Sequence, residues 1–385
     1  MKVVVTSRIF GPEVSAASSM LRTWVEEFRD RGHDVTVLTV TPPRGLAIDD
    51  PPGVAVRRAP VIRDRQDYVR GYLSYLSFDV PLAFRLLFRR RPDLIVVEPP
   101  PTTLAVVRVI AWLRRVPYVV RAADYWTEAA ELVTRNRLVI GTLRRLEAWG
   151  LNGAAMLYVA HEPLLARMRA ARVTAEALPI GFGADTRDIR YEGQAPPATP
   201  VFVYAGTYSE WHGAGIFVDA LARIIGEHPG TRLVFYGNGE ERDAMQARAH
   251  ELGVGDAIEF HAPIQPAALS PVLAGATASL ASLAPAPANE YAIATKVYPS
   301  LAAGCPVIYA GQGPTIELLN ESPEPRVGRA VAYDVDAVAD AMRTAADAPL
   351  PPADRAELAE WAAAAHSLQA IARRVVASSA HIVEP

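Results

Sequence analysis

The chain has 385 residues, half of them hydrophobic, and a net charge of −3, so it holds apolar side chains for two sizeable cores but not the strongly basic balance of a general nucleic-acid binder. Its single cysteine, Cys305, excludes a disulfide framework or a cysteine-rich metal site and fits a reducing compartment. No apolar run approaches the ~20 residues of a transmembrane helix, and Met1–Val5 enters a strand without the apolar core of a signal peptide. The expectation is a cytoplasmic protein, with any membrane contact confined to the inner face.

The first half alternates strands and helices. Lys2–Thr6 is a β-branched run suited to a buried parallel strand. A loop from Ser7 to Ala16 leads to an amphipathic helix over Ala17–Arg31, with Leu21, Trp24, Val25 and Phe28 on one stripe, and Gly32 ends it. Strands follow at Asp34–Val40, Leu94–Glu98, Tyr118–Arg121 and Met156–Ala160. The Pro-rich stretch Ala195–Pro200 reads as a linker, after which the pattern restarts. Strand Val201–Ala205, helix Ala214–Gly226, strand Thr231–Tyr236, helix Glu240–Leu252 and strand Ala257–Phe260 come next. The fold class expected is α/β, two Rossmann-like doubly wound domains in tandem.

Ala276–Ala310 completes the second domain's central unit: a strand to Leu283, a loop from Ala284 to Ala294, a short helix ending at Gly304, and a strand Pro306–Ala310. Ligands bind at the carboxyl end of the first strand of such a unit, and the loop there carries Glu290, Tyr291, Thr295 and Lys296. A cation in a first helical turn opposes the macrodipole. Lys296 therefore reads either as the partner of a diphosphate or as a solvated lysine at a loop edge. A strand near Ala330–Tyr333 and a helix from Asp336 follow, and the alanine-rich segment after Pro352 keeps helical spacing through Leu358, Trp361, Leu368, Ile371 and Val375.

Some motifs point away from other chemistries. Gly237-Asn238-Gly239 lacks the third glycine of a dinucleotide fingerprint and reads as a turn. Asp334-Val335-Asp336 mimics a metal-binding Asp-x-Asp, but Asp336 is placed to N-cap the helix Ala337–Ala346. The eight histidines show no metal-ligand spacing, so no metal site is expected.

Taken in order, several pieces resemble one family: Val203-Tyr204-Ala205-Gly206-Thr207, Tyr236-Gly237-Asn238-Gly239, Thr295-Lys296-Val297-Tyr298 and Leu301-Ala302-Ala303-Gly304-Cys305-Pro306-Val307-Ile308. Phe10-Gly11-Pro12-Glu13, Arg31-Gly32-His33-Asp34 and Asp124-Tyr125-Trp126-Thr127-Glu128 agree in the first half. Together they resemble the retaining glycosyltransferases of family 4, of GT-B architecture, in the branch that builds surface polysaccharides and lipid-linked glycans. The resemblance implies an acceptor domain over residues 1–190, a nucleotide-sugar domain over 200–350, and a helical segment over 352–380 that crosses back to the N-terminal domain. It implies transfer of a sugar from a nucleotide-diphosphate donor to an acceptor hydroxyl in a glycan, glycolipid or glycosylated metabolite, with no cofactor.

The residues so implicated are Asp124, Glu290 and Lys296 for catalysis, and Gly206, Thr207, Tyr208, His212, Gly237, Tyr291, Thr295, Lys296 and Tyr298 for the donor. Glu13, Ser15, Arg121, Trp126 and His161 are implicated for the acceptor. The family's Glu-x(seven)-Glu signature is absent: Tyr291 and Pro299 fill its two slots, Thr207 and His212 stand where an arginine and a lysine are usual, and Ala123 replaces a histidine. A catalytically impaired partner of an active transferase and a sugar-nucleotide epimerase of the same architecture are the alternatives. Asp67–Pro92, rich in aromatics and ending in Arg89-Arg90-Arg91, reads either as an interfacial membrane surface or as a packed helical pair ending in a basic turn.

Overall fold

A computed structural model describes residues 1–13, 15–64, 69, 71–127, 136–320 and 326–383. The chain divides into two compact units, Met1–Gly181 with Ile371–Pro385, and Phe182–Ala370. Expected elements that fall outside the described residues are Asp67, Tyr68 and Glu128.

The first unit is built on seven parallel strands: β1 (Lys2–Thr6), β2 (Asp34–Val40), β3 (Ala55–Ala59), β4 (Leu94–Val97), β5 (Tyr118–Ala122), β6 (Met156–Val159) and β7 (Ala177–Pro179), in the order 3-2-1-4-5-6-7. The β-branched runs form the centre because they are buried on both faces, as parallel strands between helices must be. The helix Ala16–Asp30 presents Leu21, Trp24, Val25 and Phe28 inward, all fully buried. Edge strands β3 and β7 escaped the sequence reading: AVRRA is half exposed and charged, and ALP is three residues ending in proline. At the chain's end, Tyr158 of β6 donates its hydroxyl proton to the Val375 carbonyl at 3.1 Å and lies within hydrogen-bond distance of Ser378 and Ser379.

The second unit holds six parallel strands: β8 (Val201–Ala205), β9 (Arg232–Tyr236), β10 (Ile258–His261), β11 (Ala278–Ser282), β12 (Val307–Ala310) and β13 (Gly328–Val331), in the order 10-9-8-11-12-13. Both sheets therefore reverse direction once, between β1 and β4 and between β8 and β11, and it is outside the carboxyl ends of such strands that ligands bind. Gly304 takes φ +65° just past the helix Val297–Ala302 and its cap Ala303, the left-handed C′ position expected of it. One expectation is corrected. The helix Val335–Asp347 is capped by Asp334, whose carboxylate accepts from the amides of Asp336 and Ala337, while Asp336 lies in the first turn. The cap is the residue with extended backbone, and Asp334 has it. The segment after Pro352 forms two helices, Pro352–Ala365 and Leu368–Val383, separated by His366 and Ser367. No described helix is long and apolar enough to cross a membrane.

Candidate functional site

In the second unit the loops that leave β8, β9 and β11 meet closely. Gly206 and Gly237 take φ of +153° and +155°. A Cβ on Gly237 would stand 2.0 Å from the Gly206 carbonyl oxygen, and one on Gly206 would stand 2.8 Å from Lys296 Cε. Only glycine lets these backbones touch, so the Gly237-Asn238-Gly239 turn packs one loop on another. The Gly206 amide donates to the Tyr236 carbonyl at 2.8 Å and the Tyr208 amide to the Asn238 carbonyl at 3.1 Å, which fixes the arrangement. The β11 loop is tied to the β8 loop through Trp211, whose carbonyl accepts from the Ala284 amide at 3.1 Å and from Asn289 Nδ2 at 3.2 Å.

Lys296 lies at the centre of this crevice. Its Nζ donates to the Tyr204 hydroxyl at 2.9 Å and sits 4.7 Å from that ring's centroid, while Tyr204 donates onward to the Thr207 carbonyl at 2.9 Å. Among the described residues no carboxylate pairs with it. Burial pulls its pKa down to about 7, because removing water disfavours the ammonium form. The helix it precedes has only six residues, so the lysine and not the macrodipole supplies the positive charge. His212 shares a hydrogen bond with Ser209 Oγ at 2.9 Å, and burial, with Lys296 nearby, holds its pKa at about 4. It is therefore neutral at pH 7 and supplies a polar ring in place of a second cation.

The other donor residues separate into two groups. Thr207, Glu290, Tyr291 and Thr295 are exposed on the loops, with Glu290 closing the short 3₁₀ turn Pro287–Glu290. Tyr208 and Tyr298 are turned inward. Tyr208 donates to the Gly237 carbonyl at 2.5 Å, and Tyr298 packs on Phe182 and His366. The Tyr208 ring supports the glycine-bearing loops and the Tyr298 ring packs inside the second unit, so both rings are turned inward. Pro299 lies half-buried in the first turn of its helix. Tyr204 was missed as a site residue; a tyrosine one position before the strand's exit toward Gly206 was its only signal.

In the first unit the charged groups at the corresponding strand ends are largely matched to each other. Arg121 at the end of β5 is 4% exposed and holds Glu98, just after β4, through two contacts from Nη1 at 2.8 and 2.9 Å. Its Nε lies 3.1 Å from Met20 Sδ. Burial raises the Glu98 pKa and Arg121 opposes the shift, with exposed Asp124 adding a smaller upward push. Asp124 also acts on His161, whose pKa burial lowers. His161 Nδ1 accepts from the Leu164 amide at 3.2 Å as the N-cap of its helix, which places the neutral ring's proton on Nε2. Ser15 caps the helix Ala16–Asp30, and Glu13 is gripped by Arg63 at 2.7 and 3.2 Å. The Trp126 amide donates to Glu147, which also caps Thr127, and the Trp126 ring lies 5.6 Å from the Arg8 guanidinium. Asp124, Arg121 and His161 thus gather at neighbouring strand ends, while Glu13 and Ser15 are committed to local structure. The half-buried Glu98 and the buried Arg8, both just after strands, carry no signal in the sequence. Among the described residues no group of three His, Cys, Asp or Glu side chains converges as metal ligands.

Comparison with known proteins adds to this geometry. The description "Glycosyl transferase 4-like domain" fits residues 16–181 and "Glycosyl transferases group 1" fits residues 199–347. No curated protein sequence matches the chain. Among solved structures, the sucrose-phosphate synthase of Thermosynechococcus elongatus is 17% identical with a TM-score of 0.71, over 100% of this chain and 99% of that one. Anabaena HepE, solved with UDP and glucose, is 16% identical with a TM-score of 0.69, over 99% and 100%. A putative UDP-N-acetylglucosamine 2-epimerase of Listeria monocytogenes is 12% identical with a TM-score of 0.60, over 100% and 97%. At such identities the likeness establishes the fold alone. Residues 16–181 thus belong with the glycosyl transferase 4-like domains and residues 199–347 with the group 1 glycosyltransferases, each on its own doubly wound parallel sheet, and the chain is a glycosyltransferase of GT-B architecture.

Proposed function

We propose that the protein transfers a hexosyl group from a nucleotide-diphosphate sugar to an acceptor hydroxyl, with retention of anomeric configuration and without a metal. The observation that carries this reading is Lys296: a half-buried amino group, charged at and below neutral pH, with a tyrosine hydroxyl for company, no carboxylate partner among the described residues, and the crevice at the β8/β11 reversal around it. Departure of a nucleoside diphosphate develops negative charge, and a preorganised cation in a water-poor site stabilises it. The neighbouring Thr207 and the polar ring of His212 line the same loop, and Glu290, exposed, is available to sugar hydroxyls. Gly206 and Gly237 shape the loops, and Tyr291 and Thr295 stand exposed beside Lys296 in the chain.

In the first unit, Asp124 is the exposed carboxylate suited to orient or deprotonate the acceptor hydroxyl, beside His161 and the Glu98–Arg121 pair. The acceptor is a sugar, a glycolipid or a glycosylated metabolite met at the cytoplasmic face of a membrane, in the building of surface polysaccharide or a related glycan. Incubation with UDP-, GDP- and dTDP-sugars tests the donor: one of them should raise the melting temperature and be slowly hydrolysed, in excess EDTA as well as without it. Absence of any shift would refute the donor reading, and loss of turnover restored only by manganese would refute metal independence. Binding with no hydrolysis or transfer would favour a second reading, a catalytically impaired partner protein, which Tyr291 and Pro299 in the two glutamate slots support.

A further inference from the structure

We propose that the outer face of the helix pair Tyr72–Phe88 and Pro101–Arg114 docks on an anionic lipid bilayer. The first of these helices is inside out. Its only acid, Asp79, is 1% exposed and accepts from Thr103 of the second helix. Among its described side chains the exposed ones are Leu73, Leu76, Val80, Phe84, Leu87 and Phe88, all apolar, with Leu73 and Phe88 74% and 77% exposed. The spacing 73, 76, 80, 84, 87 is a helical stripe, which an inward face already filled by Phe78, Leu82 and Leu86 does not need. Phe78 turns inward and Tyr75 is half-buried under the Arg8 guanidinium, so the packed-pair reading of the sequence holds for one face only. The second helix repeats the inversion. Its exposed residues are Val109, Trp112 and Leu113, and Trp112 is 76% exposed. A continuous exposed apolar face of this kind marks an interaction surface.

Charge decides the occupant. At the C-terminal ends of both helices stand Arg85, Arg89, Arg90, Arg91, Arg114 and Arg115, and among the described residues none of them forms an ion pair. Those with side-chain partners use neutral acceptors: Arg85 the Arg57 carbonyl, Arg89 the Thr36 hydroxyl, Arg91 the Arg115 carbonyl and Arg114 the Leu86 carbonyl. After burial, neighbouring arginines are the main influence weakening proton binding at Arg85, and they act at Arg89 too, where Asp34 opposes them. Beside Trp112 a groove of about 620 Å³ opens, with Arg108 and Arg115 in its wall, and Arg108 Nη1 is buried there without a hydrogen-bond partner. Uncompensated guanidinium groups rimming an apolar stripe match phosphate headgroups over acyl chains. A second copy of the same face would bring two arginine rims together, with Asp34 beside Arg89 too little negative charge to answer six guanidinium groups.

The test needs no nucleotide, so it stands or falls apart from the donor reading. The full chain is floated with vesicles of phosphatidylglycerol and phosphatidylcholine, and with phosphatidylcholine alone. It should float with the anionic vesicles and at least tenfold less with the neutral ones, and about 1 M salt, where the Debye length is ~3 Å, should release most of it. Phe84→Glu with Phe88→Glu, and separately Arg89→Glu with Arg90→Glu and Arg91→Glu, should each reduce flotation at least tenfold with unchanged melting. If one variant fails to fold, the other decides. No flotation, equal flotation on neutral vesicles, or wild-type flotation by a folded variant would overturn the proposal. So would a dimer dispersed by the phenylalanine variant in a protein that binds no vesicle.

Discussion

The two strand-reversal points carry similar topology and opposite electrostatics. At β1/β4 the buried cation Arg121 has Glu98 bonded to it, Arg63 has Glu13, and the exposed Asp124 adds negative charge. At β8/β11 the half-buried Lys296 has a tyrosine and, among the described residues, no acid. A protein-supplied counterion satisfies a charge permanently, so the first crevice presents carboxylate and hydrogen-bonding groups to a neutral polyol. A cation without one is satisfied only when an anion arrives, so the second crevice is complementary to a diphosphate. On the function proposed above, the contrast would divide labour between two domains of one architecture, a donor leaving group at one reversal point and an acceptor hydroxyl at the other.

The largest effect should come from breaking the internal pair. Glu98→Ala leaves Arg121 buried and unanswered, and removal of one partner of a buried pair costs roughly 3–5 kcal/mol. Equilibrium denaturation should show that loss, and the double change Glu98→Leu with Arg121→Met should recover most of it. Equal destabilisation by single and double changes would mean that the pair contributes shape and not charge balance. The same operation on Lys296 should leave the fold intact. Lys296→Ala should instead weaken nucleoside-diphosphate binding by about 1.5–3 kcal/mol, the range for a hydrogen bond to a charged group. Calorimetry giving an unchanged affinity would return the lysine to the role of a solvated cation.

A pH series sharpens the difference further. Free Lys296 titrates at about 7, below the ordinary lysine value of 10.5. A bound diphosphate favours the ammonium and raises that pKa, so above pH 7 binding draws in a proton. Affinity should therefore fall as pH rises past about 7, by up to about tenfold per unit, a tenfold change being 1.36 kcal/mol. His212, with its pKa at about 4, adds nothing to this profile near neutrality. Calorimetry at pH 8 in buffers of different ionisation enthalpy should detect proton uptake in the wild type and none in Lys296→Met. A flat profile with no uptake would place the diphosphate elsewhere.

Much of this was legible from pattern. Strands buried on both faces announce themselves as continuous β-branched runs, and the Leu21/Trp24/Val25/Phe28 stripe needs only the helical period. Lys296 was readable because its charge conflicts with its place at a helix start. Glu98 and Arg8 were not, because a charged residue after a strand looks the same whether it faces water or a buried partner 23 residues away in sequence. Tyr208 and Tyr298 show another limit of motif reading: their motifs place them by the loops, but whether a ring faces inward depends on packing, for Tyr208 against the glycine-bearing loops and for Tyr298 against Phe182 and His366. The choice between Asp334 and Asp336 as cap depended on one backbone angle, which residue type does not reveal.

The smallest effect concerns Pro299, in the slot where the resembling family has a glutamate. It is the third residue of the helix Val297–Ala302, after Lys296 as cap, and a position that early has no intrahelical carbonyl for its amide to reach. Proline is tolerated there for that reason, and glutamate would be tolerated better, since an acid in the first turn complements the helix terminus. Pro299→Glu should therefore keep the melting temperature. It should also place a carboxylate one turn from Lys296, within the crevice proposed above for the donor. A net gain of about 1 kcal/mol, the usual worth of a single hydrogen bond, would tighten the preferred nucleotide about fivefold through its ribose. The acid also puts a negative charge near the diphosphate, so the gain should be larger for a nucleoside than for the nucleoside diphosphate. Equal or weaker binding of both by a folded variant would show that ribose recognition lies outside this helix, and the comparison would then rest on Lys296 alone.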